Sequence, residues 1–126
     1  VLENSTDALG RKIDVVKLAM PNPIYMTEAE VAGLDLFDGE PTRDTVSPLS
    51  ASYVNLYIGN KTVVIPAFGG ENTEYDLRAK SEVKKVFPDR EIIQIYARDI
   101  LIGGGNIHCI THQIPSFVRK ETPYDK

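Results

Sequence analysis

Cysteine is almost absent from this 126-residue chain, which has Cys109 as its one thiol. A single thiol forms no internal disulfide, which excludes the disulfide-stapled secreted folds and fits a reducing cytoplasm. Tryptophan is missing, and histidine occurs only at positions 108 and 112. One Cys and two His, one and three residues apart, match no closed four-ligand zinc pattern, so no metal is expected. Basic charge is in deficit: 14 Lys and Arg against 18 Asp and Glu leave a net charge of −4. That balance argues against nucleic acid or an anionic membrane as the main partner. No apolar run approaches the length of a membrane span. The opening Val1-Leu2-Glu3 shows no signal peptide and reads as the tail of an earlier element. The sequence is therefore expected to be a piece of something longer. What is present is ordinary for one globular domain: 42% hydrophobic and 25% charged residues.

Periodicity predicts the elements. Ile13-Asp14-Val15-Val16-Lys17-Leu18 is β-branched and follows Gly10, which predicts a strand ended by Pro21 and Pro23. Residues 21–50 have no period and form a long irregular loop, which is expected to be functional, partner-covered or disordered. Inside it, Thr27 followed by Glu30 predicts a capped helical turn. Residues 51–58 alternate, with Tyr53, Asn55 and Tyr57 on one face and Val54, Leu56 and Ile58 on the other. Gly59-Asn60 reads as a two-residue hairpin turn. Residues 61–67 return as a strand buried on both faces, with Pro66 at its end or on an edge. Thr73 then caps a helix, with Asp76 in a near capping box and Tyr75, Ala79, Val83 and Val86 as its apolar stripe. Pro88 stops it, and residues 91–96 form another strand. Strand, strand, helix, strand is the expected order over residues 52–97. Residues 118–126 are expected to fray.

The chemistry concentrates in Gly103-Gly104-Gly105-Asn106-Ile107-His108-Cys109-Ile110-Thr111. The apolar Ile100-Leu101-Ile102 feeds three glycines, and a short strand-like stretch then delivers the thiol. Glycines let a ligand or another backbone approach closely. Cys109 is a candidate nucleophile; the competing reading is a buried structural cysteine. Strand alternation points His108 and His112 away from Cys109, so no Cys–His pair is evident. The glycines lack the Lys-Ser/Thr pair of a phosphate loop. Asp35, Asp38, Glu40 and Asp44 of the long loop read as solvated charge rather than a cation site. Asn55 is expected on the functional face of its strand, with a buried, hydrogen-bonded amide as the alternative.

In order along the chain, Ala51-Ser52-Tyr53-Val54-Asn55-Leu56-Tyr57, Val64-Ile65-Pro66-Ala67-Phe68-Gly69, Phe87-Pro88-Asp89-Arg90-Glu91 and the glycine-to-cysteine segment resemble the agmatine deiminases. That family shares a clan with the bacterial peptidyl-arginine deiminases. Asp7-Ala8-Leu9-Gly10-Arg11 and Lys17-Leu18 extend the resemblance to nearly the whole chain. It implies an α/β fold: the five-bladed β/α propeller (pentein) of guanidine-modifying enzymes, built from strand-strand-helix-strand modules, with about two modules present. It implies that Cys109 attacks a guanidinium carbon, converting agmatine and water to N-carbamoylputrescine and ammonia without a cofactor. Gly103, Gly104, Gly105 and Asn55 become candidate substrate-binding residues. The family's members are near three times longer, and their guanidinium-binding carboxylates and acid His-x-Asp lie upstream; no His-x-Asp occurs here. His112 also stands where the family more often has Gln.

The chain is thus expected to be the C-terminal part, residues 1–126, of one catalytic domain in a cytoplasmic enzyme. Its partners would be a small guanidine substrate, the remaining N-terminal part and a second copy in a homodimer. Two alternatives stand beside this: a deiminase acting on arginine in a peptide, and an isolated fragment that only folds and assembles. On its own the 126-residue piece is expected to be inactive.

Overall fold

Apolar and β-branched residues concentrate in two segments, and these pair as neighbours in one small sheet. The computed structural model describes residues 1–115. Its sheet has the order β1 (Tyr57–Ile58), β2 (Thr62–Ala67), β3 (Glu91–Tyr96), antiparallel between the first two and parallel between the last two. The parallel pair needs a crossover, which α2 (Thr73–Val86) supplies. Val63 and Ile65 of β2 meet Val83 of α2 and Ile92 of β3 in one buried cluster. Each of these side chains contributes about 1.5–3 kcal/mol on leaving water. Residues 57–96 thus form the strand-strand-helix-strand unit expected.

Pro66 stands in the central strand, and register explains why it is tolerated. The carbonyls of Lys61 and Ala67 accept from Glu91 and Ala97 on the β3 side. Alternation turns the Pro66 nitrogen to the β1 side, where the ladder has already ended at Tyr57, paired with Val64. The hairpin turn falls one residue later than expected: Gly59 N–H donates to Thr62 O at 2.8 Å, which leaves Asn60 and Lys61 at the tip.

Five local expectations are corrected. The predicted strand over 13–18 is absent. Its β-branched residues have no neighbouring ladder, Val16 is exposed, and the next N–H, of Ala19, donates to the Glu82 carboxylate at 2.7 Å. The strand over 51–58 shrinks to β1, and at its start burial runs against apolarity: Tyr53 is 1% exposed and Val54 66%, while Leu56 packs on the core. Tyr53 wins the interior because its hydroxyl donates to Asp76 at 2.7 Å while its ring packs on Phe68, centroids 5.3 Å apart. The capping box at Thr73 does not form. Thr73 is the first helical residue, and the Asp76 carboxylate accepts from the N–H groups of Phe68 and Gly69. The apolar stripe stops at Val83; Val86 is exposed, and Phe87 packs in its place. Finally, residues 98–111 contain no strand. Arg98–Ile102 form helix α3, with Leu101 buried beside Tyr53, Phe68 and Ala79. The expected fraying over 118–126 lies outside the described residues.

The capping box at Thr27 opens α1 (Glu28–Ala32), with Glu30 bonded to the Thr27 N–H at 2.7 Å. Glu30 also grips Arg98 through two hydrogen bonds of 2.7 and 2.8 Å, while Arg98 donates to the Tyr25 carbonyl at 3.0 Å. This fork ties the long loop to the first residue of α3. The Arg98 guanidinium, then the Thr27 N–H, pull the Glu30 carboxyl from an ordinary 4.5 down to about 2. Its folded value lies below its unfolded one, so its stabilisation is complete above 4.5 and is lost as pH falls toward about 2. Glu30→Gln is expected to cost about 1–2 kcal/mol near neutral pH, with the gap to wild type closing as pH approaches ~2. Urea midpoints of both proteins across that range are the check.

Candidate active site

Helix α3 ends at Ile102 with Gly103 as its cap, and the chain then turns through Gly104, whose φ of +93° favours glycine. Asn106 and Ile107 plunge into the interior and anchor the segment beyond them. Residues His108–Ile110 make one 3₁₀ turn rather than the strand expected, with the Ile110 N–H bonded to Asn106 O at 3.3 Å. Thr111 closes it, donating from N–H and hydroxyl to His108 O at 3.1 and 2.9 Å. Cys109 rides this turn and is exposed, so the buried structural reading does not apply.

Asn55 lies beside it. The Asn55 Nδ2 donates to Cys109 Sγ at 3.2 Å, and Asn55 Oδ1 accepts from the His108 N–H at 2.8 Å. The burial of Tyr53 makes this reach possible, because it fixes the turn that carries Asn55. The Asn55 amide, then the N–H of Asn106 and, more weakly, that of Cys109 itself hold the thiol below the usual cysteine range. A thiol so surrounded carries more thiolate near neutral pH and is a better nucleophile.

The three glycines are not equivalent. A β-carbon at Gly103 would meet the Ile100 carbonyl at 3.3 Å and the Asp99 carbonyl at 3.8 Å, both on its own helix and neither near the thiol. At Gly104 it would meet the mobile tip of Arg43, at 2.5 Å from Nη2, in addition to the backbone strain. At Gly105 it would stand 2.9 Å from Cys109 Cβ and 3.3 Å from Sγ, so the thiol itself must move. We expect Gly105→Ala to lower turnover by about 100-fold, since an ångström of misplacement costs that much. Gly104→Ala should act chiefly on stability, by about 1–2 kcal/mol. Gly103→Ala should leave both within about twofold. Steady-state kinetics and thermal unfolding of the three variants separate these effects.

His108 and His112 are exposed, and neither side chain bonds to Cys109 among the described residues. The 3₁₀ turn also removes the alternation by which they were placed on the far side. The Asp44 carboxylate is taken up by Ser47 and the Val46 N–H. Among the described residues, no group of three His, Cys, Asp or Glu is arranged to hold a metal ion. An open cleft of about 300 Å³, lined by Met26, Arg43, Ser47, Leu101 and Gly104 among others, reaches the glycine turn but not Cys109. The sequence reading missed Arg43, Asn106 and the Glu30–Arg98 pair. The Thr27-to-Glu30 spacing signalled a cap but nothing of its distant partner.

Known proteins resemble the chain along its length. The family model described as Porphyromonas-type peptidyl-arginine deiminase matches residues 1–115. A relative from Latilactobacillus sakei, provisionally named an agmatine deiminase, is 50% identical over 92% of this chain and 31% of its own length. The agmatine deiminase of Pseudomonas aeruginosa is 44% identical, again over 92% of this chain and 31% of its own. The solved agmatine deiminase of Enterococcus faecalis is 36% identical over 90% of this chain and 30% of that one, with a TM-score of 0.81. The chain therefore spans about a third of the length of the curated relatives it matches. The fold is the one the sequence resemblance implies, part of the β/α propeller of the deiminases.

Proposed function

The chain belongs to the Porphyromonas-type peptidyl-arginine deiminase family, and from that premise we propose that it carries the nucleophile of an agmatine deiminase. Residues 1–126 are the C-terminal part of one catalytic domain. Cys109 attacks the guanidinium carbon of agmatine, and a new S–C bond forms. The C–N bond to one terminal nitrogen breaks, and that nitrogen leaves as ammonia once protonated. The intermediate is an S-alkyl thiouronium. Water then adds to the same carbon, the S–C bond breaks, and N-carbamoylputrescine departs as the thiolate is restored. The chemistry needs no cofactor.

The observation that carries this reading is an exposed thiol held against N–H donors, in a chain whose relatives are named agmatine deiminases. Of the three candidate glycines, Gly105 is the one whose missing side chain leaves room for the Cys109 Cβ and Sγ. Carboxylates for the cationic guanidinium and a histidine acid come from the rest of the enzyme, so the 126-residue piece alone releases no ammonia. That remaining part also covers the half-open Ile93 and Ile95 and the exposed Tyr96. The complete enzyme works in the cytoplasm.

The description of the matched family favours a second reading, arginine within a peptide as substrate. Both are tested by one assay. The complete protein is given agmatine or an arginine-containing peptide, and ammonia and ureido product are measured together. Turnover of agmatine with none of the peptide supports the first reading. The reverse supports the second, and turnover of neither removes both.

A further inference from the structure

Asn55 stood among the candidate substrate contacts, but its amide is already engaged. Its oxygen accepts the His108 N–H at 2.8 Å, and its nitrogen faces Cys109 Sγ at 3.2 Å. Both bonds end on the same 3₁₀ turn, 53 and 54 residues away in the chain. The atom facing the His108 N–H must be the oxygen, since the amide nitrogen only donates, and this fixes which way the amide points. One N–H of the nitrogen is thus committed to sulfur, and little of the amide is left for a guanidinium. A guanidinium, moreover, has only donors, and the Asn55 nitrogen has no lone pair to accept from it.

We propose that Asn55 is a positioning residue: it clasps the Cys109 turn through His108 and presents a hydrogen-bond donor to the Cys109 sulfur. The proposal rests on the reading of Cys109 as nucleophile. A donor facing sulfur favours the anion over the thiol. The clasp also fixes where the sulfur sits, and attack on a carbon depends on that placement. Among the described residues, His108 is next to the thiol in the chain, while Arg43 of the long loop lies against Gly104. Tyr53, on the segment that carries Asn55, is engaged by Asp76.

The near-isosteric Asn55→Asp separates the two duties. It keeps an oxygen for the His108 N–H and replaces the donor at sulfur with a second acceptor. Asn55→Ala removes both. The complete protein and its variants are treated with iodoacetamide across pH, and alkylation is followed by the mass of the Cys109 peptide. Sulfur displaces iodide as the thiolate, so the midpoint reports the thiol's pKa. The same variants are assayed with agmatine. In both variants we expect the midpoint to rise, further in Asn55→Asp than in Asn55→Ala. The kcat should fall by about 10- to 100-fold, with KM within about twofold. A merely structural asparagine would leave the midpoint of the folded Asn55→Ala variant unchanged, since alanine removes the donor and adds no charge, and that result overturns the proposal. So does a raised KM with kcat intact, which marks a substrate contact. Full turnover in Cys109→Ser would instead overturn the nucleophile reading beneath it, a failure visible without any Asn55 variant.

Discussion

Cys109→Ser in the complete protein is expected to abolish ammonia release from agmatine, a loss of about 10⁴-fold or more. The reason is chemical rather than steric. A serine hydroxyl at this turn keeps the shape, but its proton is held far more tightly than a thiol's, so it stays protonated where the thiol yields a thiolate. Among the described residues no His side chain bonds to Cys109, and the donors around its sulfur assist an anion that serine does not form near neutral pH. Stability should barely change. The side chain is exposed, and substitutions at such positions stay within about 0.5 kcal/mol. Lost turnover together with an unchanged urea midpoint is the signature; turnover within about tenfold of wild type would remove the nucleophile.

The largest effect on stability is expected at Asp76. Its buried carboxylate accepts from the Tyr53 hydroxyl at 2.7 Å, the Phe68 N–H at 3.0 Å and the Gly69 N–H at 2.8 Å. These bonds join the start of α2 to the end of β2 and to the segment that carries Asn55. Asp76→Ala leaves a phenol and two N–H groups without a partner, and each such group costs about 1–3 kcal/mol. We expect a loss of about 3–5 kcal/mol. Tyr53→Phe, which spares both N–H bonds, should cost only about 1–2 kcal/mol. Burial, then the Asp76 carboxylate, hold the Tyr53 phenol above its ordinary range, so it remains a donor in alkaline solution. Urea unfolding of the two variants gives the ranking, and equal losses would mean that the phenol alone carries the site.

Local signals were legible where one element decides its own environment. The apolar run of β2, the helical stripe through Ala79 and Val83 and the isoleucines of β3 all form what their periods predict. The capping box at Thr27 is present with both its bonds. The errors came where a polar partner far along the chain outweighed hydrophobic patterning. Alternation put Tyr53 and Val54 on opposite faces, and Tyr53 takes the interior because Asp76, 23 residues on, satisfies its hydroxyl. The segment 13–18 has strand-like residues but no strand to pair with. The run Ile100-Leu101-Ile102 is too short to distinguish strand from helix by period, and the Arg98–Glu30 pair across 68 residues anchors the helix. The glycines and the cysteine stood out in the sequence as types. Their unequal roles, and the bond from Asn55 to Cys109, exist only once the chain is folded.

The central claim is a covalent bond between Cys109 and the guanidinium carbon, and mass spectrometry of that residue tests it most directly. The complete protein is mixed with excess agmatine, quenched in acid during turnover and digested. The account predicts that the Cys109 peptide gains the mass of agmatine less ammonia, and that Cys109→Ser gains nothing. Brisk ammonia release with the Cys109 peptide unmodified at every quench time, and freely replaceable by serine, would contradict it.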